Sequence, residues 1–392
     1  MKTLKRTWAD ISLDNLEYNY RSIRAHLPQG TKFLGVMKAD AYGHGAVPVS
    51  RALADLGAEY LAVSNLEEAV QIRRGEVRLP ILILGYTPAE YAANMIFLDI
   101  TQEVHSLEYA RELNEALAGT NYILNVHLKL DTGMTRIGFF AYDDERTLDE
   151  LRQVAQLPHL HIEGVFMHFC VADSRAEADV SFTKLQYKRF MDMLSAMAGV
   201  GIRPEIRHCC NSGATILYPE FALDMVRPGI ITYGNAPSDE LEGALSLRPM
   251  MSLHSMIAQV RTVPAGTDIS YGRLYRTKEE TRVAVLPIGY ADGLSRLLTG
   301  KASFYLQGHQ VPVIGRICMD MCMIDVSEVP EAKPGDVVTI FGYDDDGTLL
   351  PCERLARAQG TINYELLCQI SKRIPRICHR GAETSQILQY IV

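Results

Sequence analysis

An apolar run, Phe33–Met37, ends on Lys38 in "VMKADAYGHG", and Asp40, Tyr42, Gly43, His44 and Gly45 follow at once. Other apolar runs end in the same manner. "YILNVHLKLD" carries Lys129 and Asp131 with Arg136 close behind, and "HIEGVFMHF" ends at His168. Asn211 and Ser212 follow "EIRHC", and Arg227, Gly229 and Ile230 close "ALDMVRPGI". A lone lysine at a strand end is usually solvated. A lone histidine in "FMHF" is usually a hydrogen-bonded core group, and an arginine before a proline can simply end an element. Two lysines, two arginines and a histidine gathered on one face would instead suit an anionic ligand.

Whether they share a face depends on the elements that carry them. The first part of the chain alternates apolar runs with amphipathic stretches such as "NLEEAVQIRRG" and "SLEYARELNEALAG". In "SFTKLQYKRFMDMLSAMAGVG", Phe190, Met193, Leu194 and Met197 fall at helical spacing. Strands alternating with helices predict a parallel sheet. Eight such runs ("FLGVMK", "YLAVS", "PILILG", "IFLDI", "YILNVHLKLD", "HIEGVFMHF", "EIRHC" and "ALDMVRPGI") predict a closed (β/α)8 barrel, with an open doubly wound sheet as the alternative. In a barrel the loops after the strands build one face, where the cations above would meet. After residue 240 the chain becomes β-rich with Gly, Pro and Asp turns, and "CERLARAQGTINYELLCQISKRIPRI" adds a helix and a further strand. The expected organisation is a barrel over 1–240 and a mainly-β domain over 241–392, with the opening residues packing as a strand on the second domain.

Barrels often bind phosphate with the loops after strands seven and eight. Those loops are "CNSGAT" and "RPGIITYG", in which Gly213 and Gly229 let backbone N–H groups approach and Ser212 adds a hydroxyl. A phosphate there, a lysine after strand one and no Walker or dinucleotide glycine spacing point to pyridoxal phosphate. The formal charge of −8 argues against a nucleic-acid surface. "MKTLKR" has no apolar segment behind it, so no signal peptide is expected, and no run is long enough to span a bilayer. A cytoplasmic protein with eight reduced cysteines is expected. Cys318 and Cys322, four apart in "ICMDMCMIDV", read as buried thiols on one strand face rather than a metal pair, because no second ligand pair follows. No metal is expected.

The motifs "VMKADAYGHG", "KLDTGMTRIGF", "MHF", "NSGA", "MVRPGI", "SYG", "PIGYADG", "GRICMD" and "TINYE", in this order, resemble the alanine racemases, a fold-type III pyridoxal phosphate family. "RTWADISLDNL" resembles the family's usual beginning, so the likeness covers nearly the whole chain. It implies the same barrel followed by a β domain. It implies that Lys38 forms the Schiff base with the cofactor, and that Tyr42, Ser212, Gly229, Ile230 and Tyr364 hold the phosphate. Arg227 would face the pyridine nitrogen, supported by His168, and an arginine cannot readily protonate that nitrogen.

The resemblance further implies a two-base reaction interconverting L- and D-alanine for peptidoglycan. Lys38 would work on one face of the α-carbon and Tyr271 on the other, with Tyr271 supplied by the second subunit of a homodimer. Arg136 and the backbone N–H of Met319 would hold the substrate carboxylate, with Asp320 nearby. Tyr290 and Tyr364 would narrow the pocket, and Lys129 matches a position that is carbamylated in some members. Met321, Cys170, Cys209 and Cys210 depart from the family's usual residues, and none has an assigned catalytic role. Competing readings are a racemase of serine or another small amino acid, a related decarboxylase, and a non-catalytic carrier of the cofactor. Arg227, the lack of a triple-glycine loop and the presence of the β domain weigh against the last two.

Overall fold

In the computed structural model, which describes residues 6–142 and 144–391, eight parallel strands form between Lys32 and Val226. They are Lys32–Val36, Tyr60–Val63, Ile81–Ile83, Ile100–Val104, Leu124–Asp131, Leu160–Phe166, Ile206–His208 and Met225–Val226. Each pairs with the next in chain order up to the seventh, and the eighth pairs with the first through Met225–Lys32 and Val226–Phe33. Two backbone bonds bridge the remaining gap: Asp224 N–H to Arg207 C=O at 3.0 Å, and Arg227 N–H to Cys210 C=O at 2.9 Å. The sheet therefore curls into a barrel and is not open. Tyr60–Val63 and Ile81–Ile83 are wholly buried, as strands covered on both faces must be.

Helices on the outside follow the apolar spacing. Leu66–Arg74 starts at Asn65, whose side chain accepts from Glu68 N–H, and Leu107–Ala116 starts at Ser106, which accepts from Tyr109 N–H. Glu177–Gly199 buries Phe190, Met193 and Met197. One expected strand differs. In "IFLDI", Ile96 and Phe97 end the helix Ala92–Phe97, and the strand begins only at Ile100. Asp99, at φ 52°, makes the left-handed turn between them. The buried Ala92 and Met95 fit a helical stripe that continues into the run, so the two periods overlap there.

The residues Leu16–Ala41 and Ala46–Arg248 form the barrel unit, and a second unit takes the described residues up to Asn15, Tyr42–Gly45 and those from Pro249 onward. The second unit is built on an eleven-stranded, mainly antiparallel sheet. In it Thr7–Ser12 lies between Met251–Met256, paired antiparallel, and Arg376–Arg380, paired parallel. Short helices Cys352–Gln359 and Asn363–Cys368 complete it. Cys318 does not share a strand face with Cys322: the strand starts at Cys322, and Cys318 sits in the preceding loop, held by a Cys318 N–H bond to Met321 C=O. All eight cysteines are free thiols, and no group of metal ligands occurs among the described residues. No described helix is long and apolar enough to cross a membrane.

Candidate active site

The first barrel strand hands over to Lys38 under tight control. Tyr233 Oη donates to Val36 C=O at 2.5 Å, fixing the strand's last residue. After Lys38 the chain makes a left-handed turn, with Ala39, Asp40, Ala41 and Tyr42 at φ 52°, 55°, 55° and 52°. A non-glycine residue in this region costs about 1–2 kcal/mol, so the surroundings must impose it. Glu68 Oε1 accepts from Ala39 N–H at 2.7 Å while its Oε2 accepts from Ser64 N–H at 2.8 Å. Asp40 Oδ1 accepts from Ala46 N–H at 2.8 Å. The strain is thus fixed by two carboxylates beside the lysine, where a functional constraint is the usual reason for it.

Other strand ends bring the remaining cations of the barrel unit together. Lys129 is buried, lies over the Phe166 ring at 5.0 Å and donates to Leu130 C=O at 3.3 Å. Burial, then the Arg227 and Arg136 charges, lower its amine to about 7. Asp131 turns the loop that carries Arg136, its Oδ1 accepting from Gly133 and Thr135 N–H groups. Arg227 is only 4% exposed, and its guanidinium donates to Met167 C=O at 2.7 Å, Cys209 C=O at 3.0 Å and His168 Nδ1 at 3.3 Å. Burial pulls it down to about 10, so it stays a cation at neutral pH. Since arginine only donates, His168 Nδ1 accepts and the ring's proton sits on Nε2. Burial holds His168 far below its ordinary value, reinforced by Arg227, Lys129, Arg136 and Lys38. Arg227, Lys129, Arg136 and Lys38 thus all oppose a second proton on His168, which stays neutral.

The phosphate-binding loops expected after strands seven and eight also meet. Gly229 N–H donates to Ser212 Oγ at 2.9 Å, which leaves the Ser212 hydroxyl proton to donate elsewhere. Asn211 caps the turn beginning at Ser212 by accepting from Ala214 N–H at 3.0 Å. Ile230, buried, opens the 3-10 turn Ile230–Tyr233.

The second unit holds the other expected residues. Tyr42 and Tyr364 lie 6.0 Å apart between ring centres. Burial, then the Cys368 thiol, raises the Tyr42 phenol well above its ordinary value, keeping it a donor. Tyr271 stands on the hairpin Asp268–Ile269/Tyr275–Arg276 and is 71% exposed. Ser270, at φ 65°, ties that hairpin down by donating to Arg316 C=O at 2.7 Å. Tyr290 and Ala291 N–H groups donate to Cys318 and Met319 C=O, both at 3.0 Å. This approach needs Gly289, where a Cβ would lie 2.4 Å from Met319 O. Asp320 pairs with Arg373 at 2.8 Å.

The structure thus groups Lys38, Lys129, Arg136, His168, Ser212, Arg227, Gly229 and Ile230 in the barrel unit, and Tyr42, Tyr271, Tyr290, Met319, Asp320 and Tyr364 in the second. Sequence reasoning missed Glu68, and also His127, Glu163 and His208, which form a buried chain behind Arg227. No signal in the sequence marks the last three, because other polar residues share their strand runs.

Comparison with known proteins gives a consistent family. The model "Alanine racemase, N-terminal domain" matches residues 11–237, and "Alanine racemase, C-terminal domain" matches 250–378. An alanine racemase of Desulfovibrio desulfuricans is 46% identical over 94% of this chain and 97% of its own length. One of Clostridium tetani is 42% identical over 100% of both. Among solved structures, an alanine racemase of Clostridium difficile 630 superposes with a TM-score of 0.93 at 40% identity, covering 100% of both chains. That of Bacillus anthracis with bound L-Ala-P gives 0.93 at 34% identity, covering 100% of this chain and 99% of its own.

Proposed function

The chain belongs to the alanine racemase family, a family of isomerases, and from that premise we propose that it interconverts L- and D-alanine using pyridoxal phosphate. The observation that carries this reading is the placement of Lys38, Lys129, Arg136, His168 and Arg227 at or just after strand ends of one (β/α)8 barrel, with Arg227 bonded to His168. The residues present fit the cofactor. Ser212, Gly229 and Ile230 offer hydroxyl and backbone donors for its phosphate, and Tyr42 and Tyr364 add phenols. Arg227, a cation that gives up its proton poorly, suits its ring nitrogen. Lys38 would hold it covalently. When bound, pyridoxal phosphate makes the α-proton of an attached amino acid acidic.

Lys38 then moves the α-proton on one face of the carbon, and Tyr271 on the other. Arg136 and the Met319 N–H hold the substrate carboxylate, Asp320 stands beside it, and Tyr290 and Tyr364 limit the side chain to a small one. His168 steadies Arg227 and Tyr271. The exposure of Tyr271, with Leu274, Met319 and Met321 at 61%, 53% and 50%, supports a surface that a second copy covers. We therefore read the working form as a homodimer in which Tyr271 serves the partner's barrel. The D-alanine supplies peptidoglycan, and we place the enzyme in the cytoplasm.

Lys129 is proposed to carry a carbamate. Its neutral amine attacks carbon dioxide: an N–C bond forms, one C=O electron pair moves onto oxygen, and a proton leaves nitrogen for water. With the amine at about 7, the reactive form is abundant at neutral pH. The product anion relieves the crowding of Lys129 against Arg136 and Arg227. In ¹³C-bicarbonate the enzyme should show a carbamate carbon signal that grows as pH rises through about 7 and is missing from Lys129→Met. A wild-type spectrum without it overturns the assignment.

The reading as a whole is tested by proton NMR of L-alanine in heavy water with the loaded enzyme and chiral analysis of the product. Loss of the α-proton signal with growth of D-alanine is the expected result. Exchange with serine and not alanine would move the substrate, and no exchange with either would overturn racemisation.

A further inference from the structure

A chain of buried polar side chains runs from Arg227 through the barrel interior. Arg227 Nη1 lies 3.0 Å from His208 Nδ1, His208 Nε2 lies 2.8 Å from His127 Nδ1, and His127 Nε2 lies 3.1 Å from Glu163 Oε2. Both imidazoles are fully buried, and the Glu163 side chain is 20% exposed. Tyr60 Oη, at 2.7 Å, and Thr101 Oγ1, at 3.3 Å, also donate to Glu163.

Donor chemistry allows one arrangement of protons. Arginine can only donate, so His208 Nδ1 accepts and its proton is on Nε2. That N–H donates to His127 Nδ1, so the His127 proton is also on Nε2, where it meets the carboxylate. Every bond points from the cation toward the anion. The electrostatics agree. Burial, then Arg227, holds His208 far below its ordinary value, and burial lowers His127 against the pull of Glu163, so both are neutral. Burial pushes the Glu163 carboxyl up, but the His127 and Tyr60 hydrogen bonds outweigh it and hold it at about 2.

The backbone is built around this chain. The pairing of strands five and six slips between Val126 and His127, so that His127 partners Gly164. A Cβ on Gly164 would fall 2.5–2.7 Å from the His127 ring. Only glycine leaves room for the ring that Glu163, its chain neighbour, receives.

We infer that Glu163 is a positioning residue: by accepting from His127 Nε2–H it completes the one proton arrangement that Arg227 requires and so locks the plane of its guanidinium. An amide in place of the carboxylate can donate as well as accept. An amide N–H turned toward His127 Nε2 opposes the arrangement that Arg227 requires: either two donors meet at that end of the chain, or the imidazoles reverse and His208 aims an N–H at the guanidinium. A carboxylate that selects a histidine tautomer has this kind of leverage in other enzymes. The consequence for turnover rests on the reading above, in which Arg227 faces the cofactor ring.

Neutron diffraction from crystals of the pyridoxal phosphate-loaded enzyme grown in heavy water tests the inference directly. Deuterons are expected on Nε2 of both His127 and His208, with none on either Nδ1. A deuteron on His208 Nδ1 overturns it, whatever the enzyme's reaction. Glu163→Gln should lower kcat roughly tenfold or more with KM for alanine little changed, and Glu163→Asp should recover most of the loss. Tyr60→Phe removes a donor to Glu163 without touching the chain, and should leave kcat near wild type. Equal losses in Glu163→Gln and Tyr60→Phe, both folded, would reduce Glu163 to packing and overturn the positioning role. If neither loaded enzyme racemises alanine but the deuterons lie as expected, the function reading fails and the proton arrangement stands.

Discussion

Lys38→Ala should abolish racemisation, lowering kcat by more than about 10⁴-fold, because the lysine is asked to do two things. On the proposed reading it would move a proton at the α-carbon as a base, a role whose loss alone costs about 10²–10⁴-fold. As an amine it would also anchor the cofactor. The variant should keep its fold, since Lys38 is exposed and the turn after it is held by Glu68 and Asp40. The check is borohydride reduction of the loaded protein followed by peptide mapping. Wild type should carry the reduced cofactor on Lys38, and the variant should carry none. A persisting adduct on another lysine would remove Lys38 from both roles.

Tyr271→Phe should lower racemisation by about 10²–10⁴-fold, and unevenly. Exchange of the α-proton of L-alanine in heavy water should fall much further than that of D-alanine, because in the proposed two-base scheme Lys38 would still serve one face. Equal small losses would rule out two bases. Tyr271 is exposed, so the variant should keep its fold, and circular dichroism with the thermal midpoint checks it. Mixing Lys38→Ala with Tyr271→Phe then asks whose tyrosine is used. After free subunit exchange, half the dimers are mixed and each holds one site with both lesions and one with neither. Activity should return to about one quarter of wild type if sites are shared across a two-fold dimer. No recovery, with exchange proven by mass, places both bases in one chain.

Much of this architecture is written into the local pattern. Eight apolar runs alternating with amphipathic stretches marked the barrel strands, and the cations at and just after several of their ends marked one candidate face. The exceptions have physical causes. "IFLDI" misled because a helix stripe and a strand share residues there, with only the left-handed Asp99 to divide them. "KADAY" gives no hint that four successive non-glycine residues turn left-handed, because that conformation is imposed by Glu68, 30 residues on from Lys38. The His127–His208–Glu163 chain was silent for a related reason. Each residue sits singly in its own strand, and only barrel closure and a one-residue slip in pairing bring them within bonding distance.

The strand Thr7–Ser12 pairs on one side with Met251–Met256 and on the other with Arg376–Arg380. It is made before both of these neighbours, and neither exists until the whole barrel has been made. At about 5–20 residues per second, the strand waits roughly 12–50 s for its nearer partner and longer for its farther one. During that interval it is an unpaired apolar ribbon carrying Trp8 and Ile11, the kind of segment that invites chaperones or pairing with a neighbouring nascent chain. The barrel can fold while it waits, but the second unit can close only once Arg376–Arg380 has been made. Yield during rapid expression should therefore be limited by this stitch between segments made before and after the barrel.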